Sequence, residues 1–133
     1  MSDQDFFHLL NQKVRFINKQ LNDCLSQYGL YKSQWSVLFL LNKEGAMTQT
    51  EITHYFHVEA PTVTRTLKRM EANNWVKRVQ GNDKRERLID LTEMAKQRYG
   101  EIEKAISEQE RKMVANLSNT EKQKLYNLLQ KLG

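Results

Sequence analysis

The chain has 133 residues, of which 39% are hydrophobic and 28% charged, with five glycines and one proline. So few turn-forming residues leave little room for a many-stranded β fold, and the length suits a single domain over residues 1–133, built mostly from amphipathic helices. A single cysteine gives no sign of a secreted protein held together by disulfides, and the acids near the N-terminus do not fit a signal peptide. No apolar run approaches the ~20 residues of a membrane span. We therefore expect a cytoplasmic protein with no membrane partner.

The positive charge is concentrated in one stretch. Residues 61–87 carry eight Lys or Arg against three Asp or Glu, an excess of +5 that equals the formal net charge of the whole chain. Such a focus suggests an anionic partner, nucleic acid first. On charge alone, an ordinary solvated basic face is an equal alternative.

The first predicted element is a long helix. Its apolar residues recur at alternating spacings of three and four, which is a heptad seam, and Gly29 is a natural place for the helix to stop. The seam must face either the chain's own helices or a second copy. Its members are Phe7, Leu10, Val14, Ile17, Leu21, Cys24 and Tyr28.

Two shorter helices are predicted next. Ser33 can cap a helix that ends in the sequence NKEGAM. Thr48 and Glu51 have the Thr-x-x-Glu spacing of a capping box, which opens a short helix ending near Phe56. We expect three of its side chains to face inwards: Ile52, Tyr55 and Phe56.

After a turn at HVEA, Pro61 opens another helix, because its fixed φ and missing N–H suit the first turn. Val63, Leu67 and Met70 form its buried stripe. Two short helices joined by a tight turn form a helix-turn-helix. The other faces of the second helix are polar and basic: Thr62, Thr64, Arg65, Thr66, Lys68 and Arg69.

The rest of the chain predicts a hairpin and two helices. WVKRVQ and the alternating RLIDLT are the strands, and GNDKRE is their basic tip. Thr92 then caps a long helix, and Ser118 with Glu121 forms a second capping box. We expect the last helix to turn four leucines inwards: Leu125, Leu128, Leu129 and Leu132.

This order of elements resembles the MarR family of winged-helix transcription regulators, and residues 33–92 carry the resemblance. TVTRTLKRMEANNWVKR is similar to the family's recognition helix and first wing strand. DKRERLIDLT matches its wing signature through Asp83, Arg85, Leu91 and Thr92. One departure is Asn74 where the family often has glycine, and asparagine tolerates the left-handed backbone geometry.

The resemblance implies a mainly α fold with a small β-hairpin wing, in which a winged helix-turn-helix core of residues 33–92 is flanked by dimerisation helices at 1–30 and 93–133. It implies a homodimeric repressor, usually released by a small ligand or by oxidation. Each subunit would place one helix in the major groove and one wing in the minor groove of double-stranded DNA. Together with the apolar seam, it predicts a dimer interface containing Phe7, Leu10, Val14, Ile17, Leu21, Leu125, Leu128 and Leu132.

The DNA contacts expected on the recognition helix follow from its direction. Its opening turn lies nearest the base edges, so Pro61 sets where the contacts begin. The threonines are short donors, and Arg65 can be bidentate to guanine. Further along, Lys68 and Arg69 suit phosphates. The reading set is therefore Pro61, Thr62, Thr64, Arg65, Thr66, Lys68 and Arg69.

The wing should contact DNA through Asn82, Lys84, Arg85 and Arg87. Arg85 can enter a narrow minor groove, where the negative potential is strongest. Asp83 would be out of place beside a phosphate. We therefore expect it to pair with an arginine inside the hairpin and to fix the shape of the wing.

Other features have a functional and an ordinary interpretation. Cys24 could sense oxidants, but its place on the seam favours a small core residue. His54 and His57 have a spacing that two metal ligands could use, yet surface histidines are the favoured interpretation, and we expect no metal or cofactor. Three aromatic residues could line an effector pocket but are more often plain core: Tyr31, Trp35 and Phe39.

No catalytic motif is present: the sequence has no Gly-rich phosphate loop, no Gly-x-Ser-x-Gly and no His-Glu-x-x-His. An enzyme is therefore the weakest hypothesis. The sequence predicts a DNA-binding regulator that recognises a palindromic operator as a homodimer. The alternative is a winged-helix adaptor that docks an acidic protein partner on its basic face.

Overall fold

The computed structural model describes residues 1–83 and 85–133. The prediction of a mainly α fold with a small β wing is confirmed. The helices are α1 Asp3–Leu25, α2 Lys32–Glu44, α3 Gln49–Phe56, α4 Ala60–Ala72, α5 Glu93–Met113 and α6 Asn119–Gln130, with a 3₁₀ turn at Ser26–Tyr28. The strands are β1 Met47–Thr48, β2 Val76–Gln80 and β3 Arg87–Leu91.

Helix starts follow the predicted caps in three places. Thr48 and Glu51 satisfy each other's backbone N–H groups at 3.1 Å, and Ser118 and Glu121 do the same at 2.9 and 3.1 Å. The Thr92 hydroxyl accepts the Ala95 N–H at 3.1 Å. Each of these bonds satisfies backbone donors that the first turn of a helix leaves free.

The start of α2 differs from the prediction. Ser33 is not its cap, because the helix begins at Lys32. The Lys32 N–H donates to Asn22 Oδ1 at 2.7 Å, and the Tyr31 N–H donates to Gln34 Oε1 at 3.0 Å. Asn22 lies ten residues earlier, so no local spacing could reveal this donor–acceptor pair.

The wing belongs to a three-stranded antiparallel sheet in the order β1-β3-β2. Val76 pairs with Leu91 and Gln80 with Arg87, as the predicted hairpin requires. The third strand, β1, was not predicted; its Met47 pairs with Ile89. Because β1 leads directly into α3, the sheet fixes the start of the helix-turn-helix.

The helix-turn-helix consists of α3 and α4. His57 takes the left-handed conformation at φ +53° between them. Pro61 is the second residue of α4 rather than its first, and Val63, Leu67 and Met70 are buried as predicted. Tyr55 was expected inside but is 49% exposed. Ile52 and Phe56, one turn apart, already form the inward stripe of this short helix.

The corner between α4 and β2 is connected to α5. Asn74 there has φ +64°, as its left-handed tolerance predicts. The Thr92 hydroxyl donates to the Asn74 carbonyl at 2.7 Å. The Arg98 guanidinium carbon lies 5.3 Å from the centre of the buried Trp75 ring and 5.6 Å from that of Tyr28. One residue of α5 thus contacts both this corner and the turn after α1.

Both ends of the chain leave apolar side chains in solvent. On α1, Phe7 is 49% exposed and Val14 and Ile17 are also exposed, whereas Leu10 is half-buried. Helix α6 has no buried residue, so its leucines do not face inwards within the single chain. They are Leu125, Leu128, Leu129 and Leu132.

Leu21 departs from the other residues expected at a dimer interface. It is 5% exposed and belongs to the chain's own core. Leu21 lies where α1 packs against neighbouring helices of the same chain, so a second copy is not needed to bury it.

None of the helices in the described part of the chain combines the length and the apolar character of a membrane span.

Candidate nucleic-acid interface

The exposed face of α4 is basic. Arg65, Lys68 and Arg69 are exposed on the side opposite the buried stripe, and Pro61 and Thr62 are exposed at the start of the helix. Within residues 1–83 and 85–133, none of the three cations is paired with a carboxylate. Their positive charge is therefore available to a partner molecule.

Two of the predicted reading threonines are already engaged. Thr64 Oγ1 donates to the Ala60 carbonyl at 3.0 Å and accepts from Gln49 Nε2 at 2.6 Å. Thr66 Oγ1 donates to the Thr62 carbonyl at 3.0 Å. Both side chains are half-buried. The hydroxyl donors of Thr64 and Thr66 are thus used inside the protein, unlike that of Thr62.

The Gln49–Thr64 hydrogen bond joins α3 to α4, and no pattern in the sequence predicted it. Gln49 is the first residue of α3, directly after the capping Thr48. A polar residue at that position is ordinary in a sequence. Its role depends on the packing of α4 against α3, which no spacing along the chain encodes.

The wing tip is fixed by backbone hydrogen bonds. Asp83 Oδ1 accepts the Arg85 N–H at 3.1 Å, and the Asp83 carbonyl accepts the Glu86 N–H at 2.9 Å. Within residues 1–83 and 85–133, Asp83 forms no ion pair with the arginine side chain that was expected beside it; its carboxylate instead reaches the N–H two residues on, as an aspartate in a turn does. Asn82, Arg85 and Arg87 are exposed, and Lys84 lies outside the described residues.

A salt bridge joins α4 to the wing. Arg78 Nε lies 3.0 Å from Glu71 Oε2, and both side chains are partly exposed. This pair connects the last turn of α4 with β2. Arg78 is one of the eight cations of residues 61–87. Because Glu71 neutralises it, Arg78 contributes less than the sequence suggested to the binding of an anionic partner.

The other candidate sites have ordinary surroundings. Cys24 is half-buried, and burial raises the pKa of its thiol. The rings of His54 and His57 are centred 6.0 Å apart. Over the chain outside position 84, there is no group of three His, Cys, Asp or Glu side chains that could hold a metal ion.

A cleft of about 400 Å³ lies where α2 and α3 meet α1 and α5. Trp35 and Phe39 line it, together with Tyr55 and Phe56. Trp35 is also a core residue, since it is buried and stacks on Tyr99 with ring centres 5.1 Å apart. Burial raises the pKa of Tyr99 to about 12, so its hydroxyl stays protonated. Tyr31 lies elsewhere, at the start of α2.

These features define a winged helix-turn-helix DNA-binding protein: a second helix with a basic outer face, a hairpin beside it, and a sheet that holds the two together. A sequence model of the MarR family matches residues 30–86. The chain is 47% identical over 121 residues to YwoH, an uncharacterized HTH-type transcriptional regulator of Bacillus subtilis (strain 168), with 91% of this chain and 88% of the relative covered.

Solved structures agree. The wild-type MarR protein of E. coli in its apo form is 26% identical, with a TM-score of 0.77 over 98% of this chain and 96% of that one. A cysteine-to-serine variant of E. coli MarR complexed with operator DNA is 27% identical, with a TM-score of 0.83 over 96% and 91%. The chain belongs to the MarR family; it is a DNA-binding transcription regulator and not an enzyme.

Proposed function

We propose that this regulator is a cytoplasmic repressor that binds a palindromic operator as a homodimer and leaves it when a small-molecule effector binds. Residues 33–92 contact the DNA, residues 1–30 and 93–133 hold the dimer together, and no cofactor takes part. The observation that carries the proposal is a row of exposed cations on α4 that have no ion-pair partner among the described residues: Arg65, Lys68 and Arg69.

In this proposal the exposed start of α4 reads bases. Thr62 and Arg65 have free donors there, and an arginine can bond to both acceptors of a guanine. Lys68 and Arg69 contact phosphates, which position the helix without reading sequence. Asn82, Arg85 and Arg87 of the wing lie over the minor groove, and the sequence assigns Lys84 to the same set of contacts.

The homodimer is supported by the apolar surface at both ends of the chain. Large apolar side chains of α1 and of α6 are exposed in the single chain, and clusters of exposed apolar side chains commonly mark protein–protein contacts. A second copy related by a two-fold axis would cover both helices with the same residues. The proposed contacts are Phe7, Leu10, Val14, Ile17, Leu125, Leu128 and Leu132.

Effector release is supported by the aromatic cleft of about 400 Å³. It lies between the helices assigned to DNA and those assigned to the dimer. Aromatic walls with a few polar groups are typical of small-molecule sites. A ligand there would contact α2 and α3 on one side and α5 on the other. Its occupancy can therefore change how the two parts fit together.

Selection of bound sites from a pool of random duplexes tests the proposal. We expect an enriched palindrome whose half-site centres lie about one helical turn, roughly 10 bp, or a multiple of it apart. A repressor should then block transcription from a promoter carrying that site. Recovery of one asymmetric half-site would contradict the dimeric mode of binding. No enrichment, together with salt-insensitive binding to an acidic protein, would favour the adaptor.

A further inference from the structure

The aromatic cleft between α2, α3 and α5 differs in charge from the rest of the protein. Among the described residues, the charged side chains that line it are Lys32 on α2 and Glu103 and Glu110 on α5. Across residues 1–83 and 85–133, none of the three forms an ion pair. One cation and two carboxylates give the cleft a formal charge of −1, whereas the whole chain carries +5. The cleft therefore has the opposite sign to the surface proposed for DNA.

The two carboxylates lie on one stripe of α5, with a buried side chain between them. Glu103 and Glu110 are seven residues apart, which is about two turns or about 10 Å along the helix. Ile106 lies between them on the same face and is 3% exposed, so it forms an apolar floor. Both glutamates are exposed. A bound molecule can thus place an apolar body on Ile106 and a charged group beside either carboxylate.

Glu103 adjoins an aromatic stack. Trp35, which lines the cleft, stacks on Tyr99 with ring centres 5.1 Å apart. Burial and the nearby carboxylate of Glu103 together raise the pKa of Tyr99 to about 12, so the tyrosine is neutral at physiological pH. The negative charge of Glu103 is therefore close to this stack. A carboxylate beside an electron-rich ring attracts a cation through both its charge and the quadrupole of the ring.

The wall that faces α5 is also aromatic. Phe39 of α2 and Tyr55 of α3 are exposed, and Phe56 beside Tyr55 is half-buried. Such rings offer cation–π contacts to an ammonium group and apolar contacts to the body of a ligand. The volume of about 400 Å³ lies in the lower part of the range of small-molecule sites. The cleft therefore suits a molecule of one or two rings.

We propose that the effector of this regulator is an organic cation: an amine or quaternary ammonium group attached to an aromatic body of one or two rings. The inference rests on the proposed release of the operator by a small molecule. The body packs on Ile106 and the aromatic wall, and the cationic group lies beside Glu103 or Glu110. An aromatic acid of the same size has only Lys32 to pair with and meets two carboxylates. The cleft therefore selects for positive charge.

Two probes with the same ring and opposite charge test this selection: (2-naphthylmethyl)trimethylammonium and 2-naphthylacetate. Binding is followed by NMR through the indole N–H of Trp35, and Trp75, which does not line the cleft, is the reference signal. We expect the ammonium probe to bind about tenfold more tightly than the acetate probe, and its affinity to fall as salt is added. Release of operator DNA, measured by fluorescence anisotropy, should occur at the ammonium concentrations that saturate the Trp35 signal.

Glu110→Gln keeps the size of the side chain and removes its charge. We expect it to weaken binding of the ammonium probe about threefold, and the double change with Glu103→Gln to weaken it about tenfold, since each exposed ion pair contributes modestly. Neither change should weaken binding of the acetate probe. The matched control is Glu108→Gln, the same substitution at an exposed position of α5 that does not line the cleft. Thermal unfolding of each variant checks that it is folded.

The two readouts separate the failure of this inference from that of the proposed function. Equal or tighter binding of the acetate probe, no binding of either probe, or equal effects of Glu110→Gln and Glu108→Gln would overturn the inference. Saturation of the Trp35 signal by the ammonium probe with no release of the operator would also overturn it, because the cleft would then not be an effector site. If the protein alone binds no duplex DNA at any salt concentration, the proposed function itself fails, while the probes still report the charge preference of the cleft.

Discussion

Individual side chains on α4 differ in what they have left to offer a partner. The Thr64 hydroxyl is held between Gln49 and Ala60, and the Thr66 hydroxyl donates to its own helix. Thr62 and Arg65 have no such bonds in the described residues. The sequence predicted which residues lie on α4, but it could not rank them, because the ranking depends on contacts with α3.

Arg65 and Arg85 should affect binding in different ways. Arg65→Ala should relax specificity, at a cost of about 1–3 kcal/mol on the selected operator and little on random DNA. Arg85→Ala removes a charge over the minor groove, whose readout is degenerate, so affinity should fall on all duplexes and the salt slope by about one unit. Operator and random-duplex affinities at several salt concentrations measure both. Equal weakening by Arg65→Ala on both DNAs, with no effect of Arg85→Ala, would contradict the assignment.

Cys24 should be dispensable for DNA binding. Burial raises the pKa of its thiol, so at neutral pH the reactive thiolate is scarce and peroxide should attack it slowly. We expect Cys24→Ser to bind the operator equally well with and without peroxide, with some loss of stability. The check is operator binding before and after peroxide treatment of both proteins. Release of the wild-type protein but not of the variant would show that Cys24 is a sensor.

Elements joined by short-range signals were predictable, and those joined by distant partners were not. The capping boxes at Thr48 and Ser118 were visible in the sequence, since both members lie within four residues. The start of α2 was misplaced because its partner, Asn22, is on another helix. Strand β1 was missed because it has two residues and is a strand only by pairing with β3.

Thr92 joins three elements, and its loss should be costly. It caps α5 and donates to the Asn74 carbonyl from a buried position. Thr92→Val keeps the shape but removes both bonds, which should lower the free energy of unfolding by about 1–3 kcal/mol. Thr120→Val, at an exposed position in the first turn of α6, is the control. Urea denaturation at one protein concentration compares them; equal midpoints would show that the Thr92 hydroxyl bonds do not matter.

The whole molecule separates a basic surface on α4 and the wing from apolar surfaces on α1 and α6. The excess of positive charge in residues 61–87 indicated the first of these surfaces, and the heptad seam indicated part of the second. The sequence could not show which residues of the seam are buried in the chain's own core and which are left exposed for a partner. Leu21 went to the core while Phe7 remained exposed, because only the last turns of α1 lie against other helices of the chain.

The dimer can be tested by substituting one exposed leucine and one leucine of the chain's own core. Leu128 is 57% exposed, so Leu128→Asp should leave the fold intact but give monomers in sedimentation velocity at micromolar concentration. Leu21→Asp should instead unfold or aggregate the chain, since its carboxylate would enter the core. Lys122→Asp, at an exposed polar position of α6, should remain dimeric. A well-folded wild-type monomer would refute the homodimer.

The contact of Arg98 with Trp75 and Tyr28 has a mechanical consequence for the proposed dimer. The contact lies near the start of α5, which has 21 residues and is about 30 Å long. This helix therefore connects the helix-turn-helix at its start with the proposed dimer helices at its end. If α5 tilts by about 10° about its C-terminal end, its N-terminal end moves by about 5 Å, which is more than the roughly 3.4 Å rise of one base step. Small changes in the angle between the two α5 helices of the proposed dimer therefore suffice to change the spacing of the two α4 helices, so that it no longer matches the half-sites of the operator.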